Sequence, residues 1–278
     1  MTIPSALVPV ESYGVLIQDN PATELDVVAE QIRRIGYAVL DSDFSVDELT
    51  VLSEVFNQTR AAYVQKYGGD RLRNAGEYHT IRAPLIHGNS LFIKLATNQN
   101  LLKVLEKLIV GKFILNQQNG VINPPGENYN QGAWHRDLPY QHYVSNTPLA
   151  VNALFCLDDF TPENGSTFLL PATHKMVNFP SAIYAKQNAL QVHAKAGQYI
   201  LMDCMLFHSG GVNSSNLERR AVNHMYTIPH IRPQIDFARN IDEENLTENE
   251  IEILGLRFKT SLSVEEYLNF AESKNVQK

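Results

Sequence analysis

The chain has 278 residues, 44% of them hydrophobic and 19% charged, with 30 acidic against 23 basic side chains and a formal net charge of −7. That apolar content supports a sizeable core and argues against disorder, while the acidic balance argues against a nucleic-acid or anionic-membrane partner, both of which need a basic footprint. Two cysteines, Cys156 and Cys204, are too few for a disulfide framework or a cysteine-rich zinc site, so the nine histidines are the expected source of any metal ligand.

In chain order, Leu25, Val28, Ala29, Ile32 and Ile35 repeat at helical spacing, and Gly36 follows as a stop signal. Tyr37-Ala38-Val39-Leu40 reads as a short buried strand. Ser45 with Glu48 forms a capping box that opens a helix carrying Leu49, Leu52 and Phe56, and Gly68-Gly69 ends it. Residues 70–90 lack periodicity and read as a long loop, a length usually associated with function or mobility. A further helix is predicted over about 98–109, with Leu101, Val104, Leu105 and Leu108 on one face.

After Gly111 the pattern changes. Short runs at Phe113–Ile122, Leu149–Leu157, Thr167–Leu170, Tyr199–Met202 and Ala221–Ile228 are separated by Gly, Pro and Asn clusters, as in a sandwich or barrel. The tail returns to helical character over about 242–255 and 263–274, where Thr247/Glu250 and Ser263/Glu266 are capping-box candidates. The expected organisation is one domain over 1–278: a helical region at about 20–110, a β core at about 112–230 and a helical tail at about 240–275. No apolar run approaches the ~18 residues of a membrane span. The first positive charge is Arg33, so the start lacks the basic stretch of a secretory signal, and a cytoplasmic location is expected.

His135 is the one histidine with a carboxylate two residues on, in His135-Arg136-Asp137, and chance alone yields about one such pair from nine histidines and 30 acids in 278 residues. Its interest lies in strand geometry. Side chains at i and i+2 share a face, with their Cα atoms roughly 6–7 Å apart, and can converge on one ion. One more imidazole would complete the two-histidine, one-carboxylate triad of Fe(II) oxygenases. The alternative is a chance pair on a surface turn. His208 is a candidate third ligand, because it follows an apolar strand region and precedes Ser209-Gly210-Gly211; a core histidine with satisfied hydrogen bonds is the alternative. Arg219 stands eleven residues further on, beside Arg220. A buried arginine is the usual partner of a carboxylate, and adjacent strand arginines face opposite ways, so one of the two at most serves that role.

The region from about 113 to 228 resembles the phytanoyl-CoA dioxygenase family of Fe(II)/2-oxoglutarate oxygenases. The resemblance is carried by Trp134-His135-Arg136-Asp137, by Asn164-Gly165-Ser166 leading to Leu170-Pro171-Ala172-Thr173-His174-Lys175, by Gly197-Gln198 opening a strand that ends near His208, and by Arg219. It implies a mainly β protein with flanking helices around a double-stranded β-helix, the cupin-like jelly roll. It also implies iron ligands His135, Asp137 and His208, with Arg219 on the far carboxylate of 2-oxoglutarate. In this family a residue about eighteen before the first histidine lies near 2-oxoglutarate, which points to Gln117, and Asn119 shares its strand face. The polar run Asn116-Gln117-Gln118-Asn119 inside an apolar strand has an alternative reading, as edge or barrel-mouth polarity.

The implied cofactors are Fe(II), 2-oxoglutarate as cosubstrate and O2. The implied activity is hydroxylation of an unactivated carbon in a small-molecule substrate, with 2-oxoglutarate converted to succinate and CO2. Desaturation, epoxidation or oxidative cyclisation on the same ligands are alternatives, as is a non-catalytic jelly-roll binding protein. Loop aromatics and histidines at Tyr78, His79, Arg82 and His87, and in Leu138-Pro139-Tyr140-Gln141-His142-Tyr143, are candidates for the substrate mouth. His174 is expected to be a structural strand-end residue, and the two cysteines small buried apolar residues.

Overall fold

The computed structural model describes residues 8–9, 11–87, 89–127, 130–138 and 141–276. Within them the order is α1 Glu24–Ile35, β1 Tyr37–Asp41, α2 Val46–Tyr67, α3 Gly69–Asn74, β2 Thr80–Arg82, α4 Ser90–Ala96, α5 Gln99–Leu108 and β3 Ile114–Asn123, followed by β4 Ala150–Cys156 and β5 Phe168–Leu169. The chain continues with α6 Ala182–Asn188, β6 Leu190–Gln191, β7 Gln198–Asp203, β8 His208–Ser209, β9 Arg219–Thr227, α7 Glu248–Ile253 and α8 Val264–Val276. The capping boxes at Ser45/Glu48 and Thr247/Glu250 are both formed. Ser263 caps its helix by accepting from the Glu266 amide at 3.1 Å, but the Glu266 carboxylate reaches back to Leu262 N. Gly36 ends α1 at φ 89°, where a β-carbon would also meet His174 Nδ1 and Leu206 Cδ1 at 2.8 Å. His174 is thus a buried packing residue, as expected, although it sits in the one-turn helix Thr173–Lys175 and not at a strand end.

Two antiparallel sheets form the core of a jelly roll. The larger has the order β1-β7-β4-β9-β3-β2 and the smaller β6-β5-β8. Strand alternation divides the larger sheet into two faces. On one face Tyr199, Phe155, Val222 and Tyr226 pack with Phe56, Phe92, Leu95 and Leu101 of the N-terminal helices. The two buried tyrosine hydroxyls donate to the carbonyls of Leu95 and Ala96 at 2.7 Å, fastening the end of α4 to the sheet. The other face turns toward the smaller sheet and encloses a cavity. The 70–90 segment is not a long loop: α3, β2 and a one-turn helix at Pro84–His87 occupy much of it. Three-residue β2 pairs with β3 some forty residues away, a non-local contact that periodicity does not report.

His224 and Gln118 illustrate the closed polar bonding on the helix-covered face. Gln118 Nε2 donates to Phe92 O at 2.7 Å, and its Oε1 accepts from Leu85 N at 3.0 Å, which fixes the amide orientation. Its second N–H therefore points at His224 Nε2, 3.0 Å away, while His224 Nδ1 donates to Ala153 O at 3.1 Å. A protonated His224 would set N–H against N–H. Burial pushes its pKa from 6.5 down to about 4. The folded pKa lies below the unfolded one, so this contribution is full above pH 6.5 and is lost as pH falls toward 4. At roughly 1.4 kcal/mol per pH unit its loss amounts to about 3 kcal/mol. Buried Asp203 works in the opposite sense. Its pKa is pushed up to about 6, so its contribution is present at low pH and is lost as pH rises through that value. Denaturant melts at pH 7 and pH 4.5 should therefore show a smaller acid-induced loss in His224→Gln than in the wild type. Equal losses would contradict the assignment.

Candidate metal centre and its cavity

Three chain segments build the centre. The His135 and His208 backbones exchange hydrogen bonds, His135 N to His208 O at 2.9 Å and His208 N to His135 O at 3.1 Å, and Asp137 N donates to Cys204 O at 3.0 Å. The expectation of a strand carrying His-x-Asp is corrected here: His135 forms an isolated β-bridge with His208 and lies outside any named strand. His208 likewise does not end the preceding strand. β7 stops at Asp203, and a turn closed by the 2.8 Å bonds Leu206 N to Asp203 O and Met205 N to Asp203 Oδ1 leads into β8. The lone bridge suffices to set the two imidazoles side by side, ring centroids 4.3 Å apart.

Ligand atoms of His135, Asp137 and His208 lie within 4.8 Å of one another. Asp137 Oδ1 is 4.0 Å from His135 Nε2 and 3.6 Å from His208 Nε2. Each histidine has its other nitrogen bonded to a backbone carbonyl, His135 Nδ1 to Ala133 O at 2.7 Å and His208 Nδ1 to Leu206 O at 3.0 Å. Carbonyls only accept, so both Nδ1 atoms carry a proton, and Nε2 is left as the ligand atom of each ring. The remaining Asp137 oxygen accepts from Asn152 Nδ2 at 2.6 Å. This is the outer-shell bonding that orients metal ligands. His135 Nε2 is buried without a hydrogen-bond partner, which an ion between the three groups would supply. Burial, helped by the charge of His208, lowers the His135 pKa. Burial alone would raise Asp137, but the charges and hydrogen bonds of His208, His135 and Asn152 hold it below the ordinary carboxylate value. Burial opposes protonation of His208, yet Asp137 raises its pKa overall.

Arg136 points away from its two neighbours and staples the segment in place. Its Nε donates to Met205 O at 2.7 Å, and its guanidinium reaches the carbonyls of Thr173 and Val177 at 3.1 Å and that of Met176. The group also stacks 3.7 Å from the Phe207 ring centroid. The segments before and after Arg136 are thus tied to the turn that delivers His208.

The cavity holds about 730 Å³. His135, Asp137, His208, Arg219, Gln117 and Asn119 all line it, so all six residues expected at the site share one wall system. The parity read for β9 holds. Arg219, Ala221 and Asn223 face the cavity, while Arg220 turns to Asp158 at 2.7 Å, Val222 enters the helix-side core and His224 meets Gln118. Arg219 is buried, donates to Gly165 O and lies 4.2 Å from the Phe160 ring centroid. Gly165 makes this fit possible: at φ 71° it approaches Gly211 O too closely for any β-carbon. In β3 the register shifts between Leu115 and Gln117, so Asn116 joins Gln117 and Asn119 at the cavity.

Of the expected mouth residues, Arg82, Leu138, Gln141 and Tyr143 line the cavity. Tyr78 lies under Arg73, His79 bonds Glu127 at 3.1 Å, His87 packs on Tyr63 and Tyr67, and His142 is exposed. Pro139 and Tyr140 fall outside the described residues. Sequence reasoning missed Asn152, although a lone asparagine inside the apolar run Leu149–Leu157 carried the same signal as the 116–119 stretch. It also missed the segment after β9, where Ile228, His230, Ile231, Arg232 and Gln234 reach the cavity.

A jelly roll that presents two imidazoles and one carboxylate to an open cavity defines the class of metal-dependent oxygenase folds in which three coordination positions stay free. The family profile described as phytanoyl-CoA dioxygenase (PhyH) matches residues 32–221. The chain belongs to that family, whose members are Fe(II)- and 2-oxoglutarate-dependent oxygenases. Among curated relatives it is similar to the uncharacterized protein Rv1501 of Mycobacterium tuberculosis, 27% identical over 91% of this chain and 94% of the relative. A shorter match, 31% identical over 34% of this chain and 31% of the relative, is to dioxygenase af480 of Aspergillus fumigatus. Among solved structures, EctD from S. alaskensis, crystallised with 2-oxoglutarate and 5-hydroxyectoine, shares the fold with a TM-score of 0.60 at 24% identity, over 72% of this chain and 74% of that one.

Proposed function

We propose that this protein is an Fe(II)- and 2-oxoglutarate-dependent dioxygenase that hydroxylates an unactivated carbon of a small-molecule substrate. The observation that carries the reading is the convergence of His135 Nε2, Asp137 Oδ1 and His208 Nε2, with one buried nitrogen left without a partner inside the set. These three atoms would hold iron, and the fixed Nδ1–H bonds turn the Nε2 atom of each imidazole toward it. Iron, 2-oxoglutarate and O2 supply the oxidation when bound. Arg219 would anchor the far carboxylate of 2-oxoglutarate at the inner end of the cavity, and Gln117 and Asn119 would line the cosubstrate's polar side. Asn152 keeps the second Asp137 oxygen occupied, leaving Oδ1 for the metal. Retention of the Asp137 carboxylate favours hydroxylation over halogenation, since a halide would need its coordination position.

The cavity volume suits a small molecule. The whole described chain acts as one oxygenase unit in this reading, supported by a hydrophobic core that runs from Ala29 to Leu256. Free, buried Cys156 and Cys204 fit the reducing cytoplasm, and among the described residues no helix is long and apolar enough to cross a membrane. The test is succinate formation by purified protein given Fe(II), ascorbate, O2 and labelled 2-oxoglutarate. Succinate above a no-enzyme control, lost when Fe(II) is chelated, is the expected result; no release above control with any member of a broad small-molecule panel would favour a binding protein instead.

A further inference from the structure

The charges around the cavity are strongly biased for so acidic a chain. Asp137 is the single carboxylate among its described lining residues, against the arginines Arg82, Arg136, Arg219 and Arg232. Three of the four are accounted for. Arg82 is closed by Glu77 through bonds of 2.9 and 2.6 Å, Arg136 spends its fork on backbone carbonyls, and Arg219 sits at the inner end on Gly165 O and Phe160. Arg232 makes no ion pair among the described residues and is exposed beside His230. Its backbone is nonetheless held at the wall. Asn116 Nδ2 donates to Ile231 O at 2.8 Å, Ile231 N donates to Ile228 O at 3.2 Å, and Arg82 Nη1 reaches Gln234 Oε1 at 3.3 Å. Pro233 stiffens the chain immediately after it.

We propose that the primary substrate carries a carboxylate, which Arg232 receives at the mouth of the cavity with His230 beside it. This rests on the oxygenase reading of the same cavity. A chain of net charge −7 repels anions in general, so an unmatched guanidinium on a wall with one acid selects a ligand that brings its own negative charge. One guanidinium balances one charge through a bidentate pair, which favours a carboxylate over a phosphate monoester. The apolar lining from Leu138, Leu149, Ile228 and Ile231 suits a hydrocarbon body attached to that group.

The test uses the full chain, held anaerobically with Fe(II) and saturating 2-oxoglutarate so that the inner arginine is engaged. Medium-chain and aromatic monocarboxylic acids, their primary amides and the corresponding phosphate monoesters are compared by saturation-transfer NMR and calorimetry. Acids should bind at least about tenfold more tightly than their amides. Arg232→Gln should erase that preference, whereas Arg239→Gln, on an arginine paired with Asp236 outside the cavity lining, should keep it. Amides binding as well as acids, no binding by either series, an unchanged preference in Arg232→Gln, or phosphate esters outranking the acids would each overturn the proposal. Binding of 2-oxoglutarate is measured separately, so failure of the oxygenase reading shows as its absence whatever the acid series does.

Discussion

Replacing His208 by alanine is expected to lower 2-oxoglutarate-dependent succinate formation by at least about a thousandfold while leaving the protein folded. The imidazole supplies one of three converging atoms, and the other two remain in place without it. His135 is held by its bridge backbone and by Ala133 O, and Asp137 by Asn152 and by its own amide on Cys204 O. The fold should tolerate the change because the bonds joining β8 to its neighbours run through the backbone of residue 208, not through its ring. Thermal melts within a few degrees of wild type would accompany the loss. A variant that keeps most of its Fe(II)-dependent turnover would remove His208 from the metal set.

The second large effect is expected at Arg219. Arg219→Ala should raise the KM for 2-oxoglutarate roughly a hundredfold, through the loss of a charge-assisted bidentate pair at the buried end of the cavity. Arg220→Ala should leave that KM within about threefold and act on stability instead. Its guanidinium faces the other way and bonds Asp158 at 3.0 and 2.7 Å, a mostly buried pair whose breaking leaves the Asp158 carboxylate short of its partner. Because Arg219 also supports the Gly165 turn and stacks on Phe160, Arg219→Lys separates the roles. Lysine keeps the charge but not the fork, so an intermediate KM marks carboxylate recognition. A larger KM effect at Arg220 than at Arg219 would mean that the cosubstrate enters from the opposite face of β9.

Much of this site was legible in the sequence because strand parity is strict. Once Arg219 is placed inward, Ala221 and Asn223 follow it and Arg220, Val222 and His224 turn out, and all six do so. Alternation also put Gln117 and Asn119 on one face. Their neighbour Asn116 joins them through a register shift, which leaves no mark on the hydrophobic pattern. His135 and Asp137 converge for a reason other than the expected one: a single bridge to His208 and the Arg136 staple do the work assigned to a strand. Those contacts join positions about forty to seventy residues apart, beyond the reach of local propensity. The same non-locality concealed β2 inside an apparent loop. It also concealed the Ile228–Gln234 wall, whose position depends on Asn116 gripping Ile231 O. Asn152, by contrast, was visible in principle as a polar residue inside a buried strand.

The most direct measurement is the anaerobic visible spectrum of the purified protein titrated with Fe(II) and then with 2-oxoglutarate. A weak charge-transfer band that needs both additions, and that disappears in His135→Ala and in His208→Ala, is the result expected of iron held by His135, Asp137 and His208 with the cosubstrate chelated beside it. Absence of the band in the wild type, or its survival in either variant, would contradict that assignment.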